Sequence, residues 1–284
     1  MNASQEALTL AYSPCPNDTF IFAAWTRGLL PDAPPVEVAL DDVEALNEAA
    51  RAGRFELTKV SYGAIPHLLR DYRILRAGGA LGRGCGPLVV SRPAPGGVPS
   101  LGAFGPRARF AIPGTLTTAY LLLRLALPQP FEPVVMRFDR IVDAVANGDV
   151  EAGLIIHESR FTYQESGLVQ VADLGEWWEG ETGHPIPLGA ILARRDLPPE
   201  RAHRIDATIR QSLAYAYANE AAVAPYIREH AFEMSDDVMR AHIALYVNEY
   251  SHDLGSEGVA AIDDLFARAA AARLIPPGVV PEFV

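Results

Sequence analysis

The sequence predicts an α/β protein of two lobes that face each other across a hinged central cleft. Short apolar runs alternate with helix-like segments on both sides of one Pro/Gly-rich stretch, Arg92 to Pro106 (RPAPGGVPSLGAFGP), and everything beyond Pro199 turns helical. Alternation of this kind is the mark of β-α units. The interruption is either a surface loop or a lobe crossover.

In order, apolar runs at Ala7 to Tyr12, Val36 to Leu40 and Leu57 to Val60 are each followed by a helical pattern, at Thr19 to Leu29, Val43 to Ala52 and Gly63 to Arg70. The rhythm resumes with Arg109 to Ile112, a helix from Thr115 to Leu127, Val134 to Phe138, a helix from Asp139 to Asn147, and Ala152 to Ile156. Ile186 to Ala193 reads as another buried strand. In the helical end, Ile205, Ile209, Leu213 and Tyr217 recur every four residues and predict one buried face. With the chain crossing out near residues 92 to 106 and back near 184 to 192, the expected boundaries are 1–95 plus 190–284 for a larger, discontinuous lobe and 96–189 for a smaller one.

A chain of 284 residues, 49% hydrophobic, buries cores in two lobes without disulfides or metals to staple it. Its net charge of −11 repels a polyanion, so nucleic acid is not an expected partner, although a small anion can still be held locally. Cys15 and Cys85 form no CxxC pair and read as thiols of a reducing compartment. MNASQEALTLAYS has neither a basic n-region nor an apolar h-region, and no run of 18 apolar residues follows. A soluble, cytoplasmic protein with no membrane insertion is expected. Oligomeric state is not legible.

Ligands of open α/β sheets sit beyond the carboxyl ends of the strands, and four such ends are polar. In SPCPNDTF, Asn17, Asp18 or Thr19 can cap the following helix or touch a ligand. TKVSYG carries Lys59, which can pair with a carboxylate, and Ser61, which can hydrogen-bond one; a surface lysine and a capping serine are the plain alternative. IPGTLTTAY needs at most one threonine as a cap, which leaves Thr117 and Thr118 as surplus hydroxyls at a helix start that suits an anion or carbonyl. LIIHESRF ends a buried run on His157, a side chain that titrates near neutrality and can take a proton from a substrate, unless it is only a satisfied structural histidine.

Other patterns are weaker. GGALGRGCG matches neither a P-loop nor GxGxxG and reads as a turn or hinge. No histidine falls at metal-ligand spacing, so no metal is expected, and Ser159 lacks a GxSxG elbow. Trp177 and Trp178 suit either a ring-binding wall or core packing.

Taken together and in order, SPCPNDTF, DDVEALN, LTKVSYGA, ALGRGCGPLVV, IPGTLTTAY, EAGLIIHESRFTY and LGEWWEGETGHPIPLGAI closely resemble the 1,4-dihydroxy-6-naphthoate synthases of the futalosine route to menaquinone, the MqnD family, over nearly the whole chain. The resemblance implies a type 2 periplasmic-binding-protein-like fold turned to catalysis. It implies a lyase that converts cyclic dehypoxanthinyl futalosine, a small-molecule carboxylate, to 1,4-dihydroxy-6-naphthoate with no cofactor, releasing a small dihydroxy ketone. It also implies His157 as proton acceptor and Lys59, Val60, Ser61, Thr118 and Ala119 as substrate contacts. Thr115 and Leu116 stand where members of that family carry other polar residues and are left out of the site. Rival readings are a non-catalytic receptor for a small carboxylate with the same fold, a regulator's effector domain, and the chorismate dehydratase of the same pathway. The missing export signal weighs against the first, the strand at the very start against the second, and LIIHESRFTY against the third.

Overall fold

The computed structural model describes residues 6–231 and 235–284. The chain begins as predicted: β1 (Leu8–Tyr12), α1 (Pro16–Thr26), β2 (Val36–Leu40), α2 (Val43–Arg51) and β3 (Leu57–Ser61), with β1 parallel to both other strands. Pro16 starts α1 where its missing N–H costs nothing, and Asp42 caps α2 by accepting from the backbone N–H groups of Glu44 and Ala45. The helix expected over Gly63 to Arg70 is absent. Pro66 brings no N–H, and His67 and Leu68 bond back only three residues, so a single 3-10 turn (Ile65–His67) forms before β4 (Tyr72–Ile74).

After β5 (Ala80–Gly82) the chain leaves the first sheet, and β6 (Leu88–Ser91) already lies in the second. The crossover is therefore the glycine-rich run between them and not Arg92 to Pro106, so the boundary placed at residue 95 is too late. A four-residue strand without alternation gives no sign in sequence of the sheet to which it belongs. The second sheet adds β7 (Arg109–Ile112), α3 (Thr118–Ala126), β8 (Glu132–Val135), α4 (Ile141–Asn147), β9 (Ala152–Ile155), α5 (Ser159–Thr162), β10 (Val169–Asp173) and α6 (Leu174–Thr182). Its order is β10-β6-β9-β7-β8, with β7 parallel to β8 and β9, and β6 antiparallel to β9 and β10. α3 starts three residues later than expected, because Thr117 caps it by accepting from the Tyr120 N–H.

β11 (Ile186–Arg194) carries the chain back and inserts antiparallel between β3 and β4, giving β2-β1-β3-β11-β4, with β5 also paired to β11. The remainder is α7 (Pro199–Ala218), α8 (Glu220–His230), α9 (Asp236–Tyr246), α10 (Glu249–His252) and α11 (Gly255–Ala271). Ile205, Ile209 and Leu213 of α7 are buried against α1, each worth roughly 2 kcal/mol of apolar burial, whereas Tyr217 is 49% exposed. A four-residue step overshoots the helical turn by about 40°, so the fourth member has rotated off the face and Ala216 takes its place.

The first crossover is tied down on both sides. Arg160 donates to the carbonyls of Gly86 (2.5 Å) and Gly84 (3.1 Å) and to Asp173 Oδ2 (2.7 Å). Gly86 lies so close to Gly175 that a Cβ built on it would sit 2.1 Å from the Gly175 nitrogen. Among the described residues no helix is long and apolar enough to cross a membrane.

Candidate active site

The carboxyl ends of β1, β3, β7 and β9 converge on one cavity, the place where ligands of open α/β sheets bind. Lys59, Val60, Ser61, Thr118, Ala119 and His157 all line it. Trp178 is instead fully buried, its indole N–H donating to the Pro185 carbonyl, and Trp177 packs on the core, so neither forms a wall of the cavity.

At one end of the cavity hydrogen-bond donors gather. Asn47 donates through Nδ2 to Ser61 Oγ (3.2 Å) and accepts at Oδ1 from the Ser61 N–H (2.8 Å), which leaves the Ser61 O–H free to donate. Thr118 does not offer its hydroxyl: Oγ1 donates to the Leu188 carbonyl at 2.6 Å and accepts from the Gly63 N–H at 3.1 Å. What Thr118 and Ala119 offer is the backbone at the start of α3, where the first N–H groups have no intrahelical acceptor and the helix dipole favours negative charge. Glu44 reaches over from α2 and accepts from the Leu116 N–H at 3.0 Å, fixing the loop that precedes α3.

Lys59 is held differently from the free cation its position suggests. Its ammonium donates to Asp18 Oδ1 (2.8 Å) and to the Gly78 carbonyl (3.2 Å), and lysine and aspartate are both buried. Asp18 also accepts from Ser13 Oγ (2.7 Å) and from Asn17 Nδ2 (2.8 Å). The charge of Lys59 is thus spent on a buried, fully hydrogen-bonded carboxylate in the cavity wall.

His157 stands where β9 ends, with φ at +57°. Left-handed backbone is uncommon for a residue with a Cβ and marks positions where geometry is imposed by the surroundings. Phe138 packs edge-on at 5.0 Å between ring centroids. Nδ1 lies 3.4 Å from Cys15 Sγ, while Nε2 is buried and has no partner among the described residues. Burial lowers the pKa of this imidazole to about 4, an effect that Asp18 opposes and Lys59 reinforces, so the ring is neutral at physiological pH. Burial pushes the Cys15 thiol well above its ordinary value, so it stays protonated.

Two contributors escaped the sequence. Cys15 was legible only as a thiol, and His242, which has no metal-ligand spacing, arrives from α9 to stack on His157 at 6.3 Å and 10° between ring planes.

The profile of a family described as "Menaquinone biosynthesis" matches residues 8–271. The chain belongs to this menaquinone biosynthesis family. Its similarity to relatives extends from end to end. It is 53% identical to the 1,4-dihydroxy-6-naphthoate synthase of Thermus thermophilus over 98% of this chain and 100% of that one. The synthase of the same name from Streptomyces coelicolor is 47% identical, over 96% of each chain. Among solved structures, a protein from Archaeoglobus fulgidus superposes with a TM-score of 0.88 at 36% identity, covering 96% of this chain and 100% of its own. The periplasmic aliphatic sulphonate binding protein of Escherichia coli superposes at 0.66 and 15% identity, over 97% and 90% of the two chains. The fold of this menaquinone biosynthesis enzyme is therefore that of the periplasmic binding proteins.

Proposed function

We propose that this protein is the carbon–carbon lyase that converts cyclic dehypoxanthinyl futalosine to 1,4-dihydroxy-6-naphthoate, acting in the cytoplasm. The observation that carries the reading is an unpartnered, neutral imidazole nitrogen, His157 Nε2, buried at a cavity whose other wall is an anion cradle. The substrate's aryl carboxylate sits on the Ser61 hydroxyl and the first N–H groups of α3, at Thr118 and Ala119. Val60 supplies apolar wall, and Lys59 holds Asp18 and through it the polar network behind the ring. His157 Nε2 takes the carbon-bound proton beside the substrate carbonyl.

For that, Nδ1 carries the hydrogen and points it at Cys15 Sγ, leaving Nε2 bare. A conjugate acid near pKa 4 makes His157 a weak base, but one that is entirely in its working form at pH 7, and gain of a second aromatic ring supplies the driving force. Elimination then releases the sugar-derived fragment as a dihydroxy ketone.

Incubation of purified protein with the substrate, followed by mass analysis, is expected to give the naphthoate; no product from the intact protein sinks the assignment. His157→Gln is expected to lose about 10²- to 10⁴-fold in kcat while keeping the fold. Near-normal kcat removes His157 from the chemistry.

A further inference from the structure

A second imidazole enters the cavity with its hydrogen-bonding role already fixed. Asp18 carries the ion pair with Lys59, so its oxygens only accept, and Asn17 must turn its Nδ2 toward it, at 2.8 Å. Asn17 Oδ1 is then the atom that faces His242 Nε2, at 3.0 Å, and an amide oxygen requires that nitrogen to carry the hydrogen. His242 Nδ1 is left as a bare acceptor in the neutral ring. It is buried, it has no partner among the described residues, and His242 is 0% exposed while lining the cavity.

A buried acceptor without a donor costs free energy, and three side chains in series, Lys59, Asp18 and Asn17, hold it in that form. Burial keeps the ring uncharged, with His157 opposing protonation further. Its parallel stack on His157 puts it beside the proposed base.

We infer that His242 is a substrate-positioning and specificity residue whose Nδ1 accepts a hydrogen bond from a hydroxyl of the sugar-derived part of the substrate. The inference rests on the function proposed above. It assigns the two imidazoles different tasks: His157 takes a proton from carbon, and His242 orients the hydroxylated fragment that leaves. The substrate is thereby held at two poles, carboxylate at α3 and hydroxyl at α9, with the reacting carbon between them.

Two variants separate the ring's atoms. His242→Gln can keep the bond to Asn17 but has no acceptor where Nδ1 stood, whereas His242→Asn keeps an acceptor at that place and gives up the Asn17 bond. We expect His242→Gln to lose about tenfold to a hundredfold in kcat/KM and His242→Asn to retain activity within a few-fold. A second arm needs no substitution at His242. In protein carrying ¹⁵N-histidine and His157→Gln to block turnover, long-range ¹H–¹⁵N spectra should show His242 as the Nε2–H tautomer, with the Nδ1 resonance moving on substrate addition. Conversion of substrate by the intact protein together with unchanged kcat/KM in His242→Gln, an Nδ1–H tautomer, or an Nδ1 resonance unmoved by substrate each overturns the inference. Failure of the intact protein to convert substrate overturns instead the reading on which it rests.

Discussion

Lowering the pH tests the proposed base most directly. An exposed histidine, with a pKa near 6.5, is roughly 76% neutral at pH 7 and 9% at pH 5.5, so a base of that kind loses about eightfold in kcat/KM over this interval. With the pKa of His157 at about 4, about 97% of the ring remains neutral at pH 5.5, and the loss shrinks to a few per cent. The free-enzyme profile of kcat/KM should therefore stay flat from pH 7 to about 5 and bend only toward pH 4. Initial rates at substrate well below KM, in buffers of constant ionic strength, measure it. An acid limb centred near 6.5 would refute the argument that burial keeps Nε2 bare and ready. The same burial limits how far the titration can be followed. His157 and His242 are held neutral when folded but take up protons near pH 6.5 when unfolded, so stability is complete above that pH and falls as pH drops through it. The loss levels off below about 4 for His157 and about 3 for His242. At pH 5.5 each ring has withdrawn about 1.4 kcal/mol, which makes a circular-dichroism check of folding part of the assay.

Further outcomes follow from the packing around the site. Asp18→Asn leaves the buried Lys59 ammonium without its counter-charge and should destabilise by about 3–5 kcal/mol in urea unfolding at pH 7; a change below 1 kcal/mol would mean that the pair is solvated. Gly86→Ala forces a Cβ onto the Gly175 backbone, which has no flexible end to yield, and should lower the melting temperature by several degrees or prevent folding. Thr117→Ala removes the cap of α3, costing about 1 kcal/mol, and should raise KM more than it lowers kcat, because the carboxylate loses an ordered helix start. Cys15→Ala removes the neighbour of His157 Nδ1 and should lower kcat severalfold with little effect on KM; an unchanged kcat would show that Phe138 packing alone aligns the ring.

What the sequence revealed of the fold depended on whether an element carries its own pattern. β1, β3, β7, β9 and β11 are apolar runs with a pattern of their own, and the carboxyl ends of the first four mark the cavity. β4, β5 and β6 are three or four residues long and are defined by their partners, so the first crossover was misplaced. The site divides the same way. His157 was visible because a strand delivers it, and Ser61 because it ends β3. Lys59 was visible as a position, but Asp18, 41 residues earlier, decides what its charge does. His242 meets Asn17 across 225 residues of chain, and nothing in its own helix distinguishes it from a core histidine.

The placement of β11 bears on the order in which the molecule can be made. Among the described residues β4 and β5 hold to the first sheet through β11 alone, and Ile74 in β4 is bridged on its other side by Phe283. A nascent chain emerging from the ribosome has therefore laid down β1, β2 and β3 long before the strand that completes their sheet exists. The second sheet, from β6 to β10, lies entirely in the interval and can pair its own strands while the first still waits with an open edge at β3. Assembly from the middle outward is the expected sequence of events, and the period of greatest exposure to aggregation is the synthesis of residues 62 to 185.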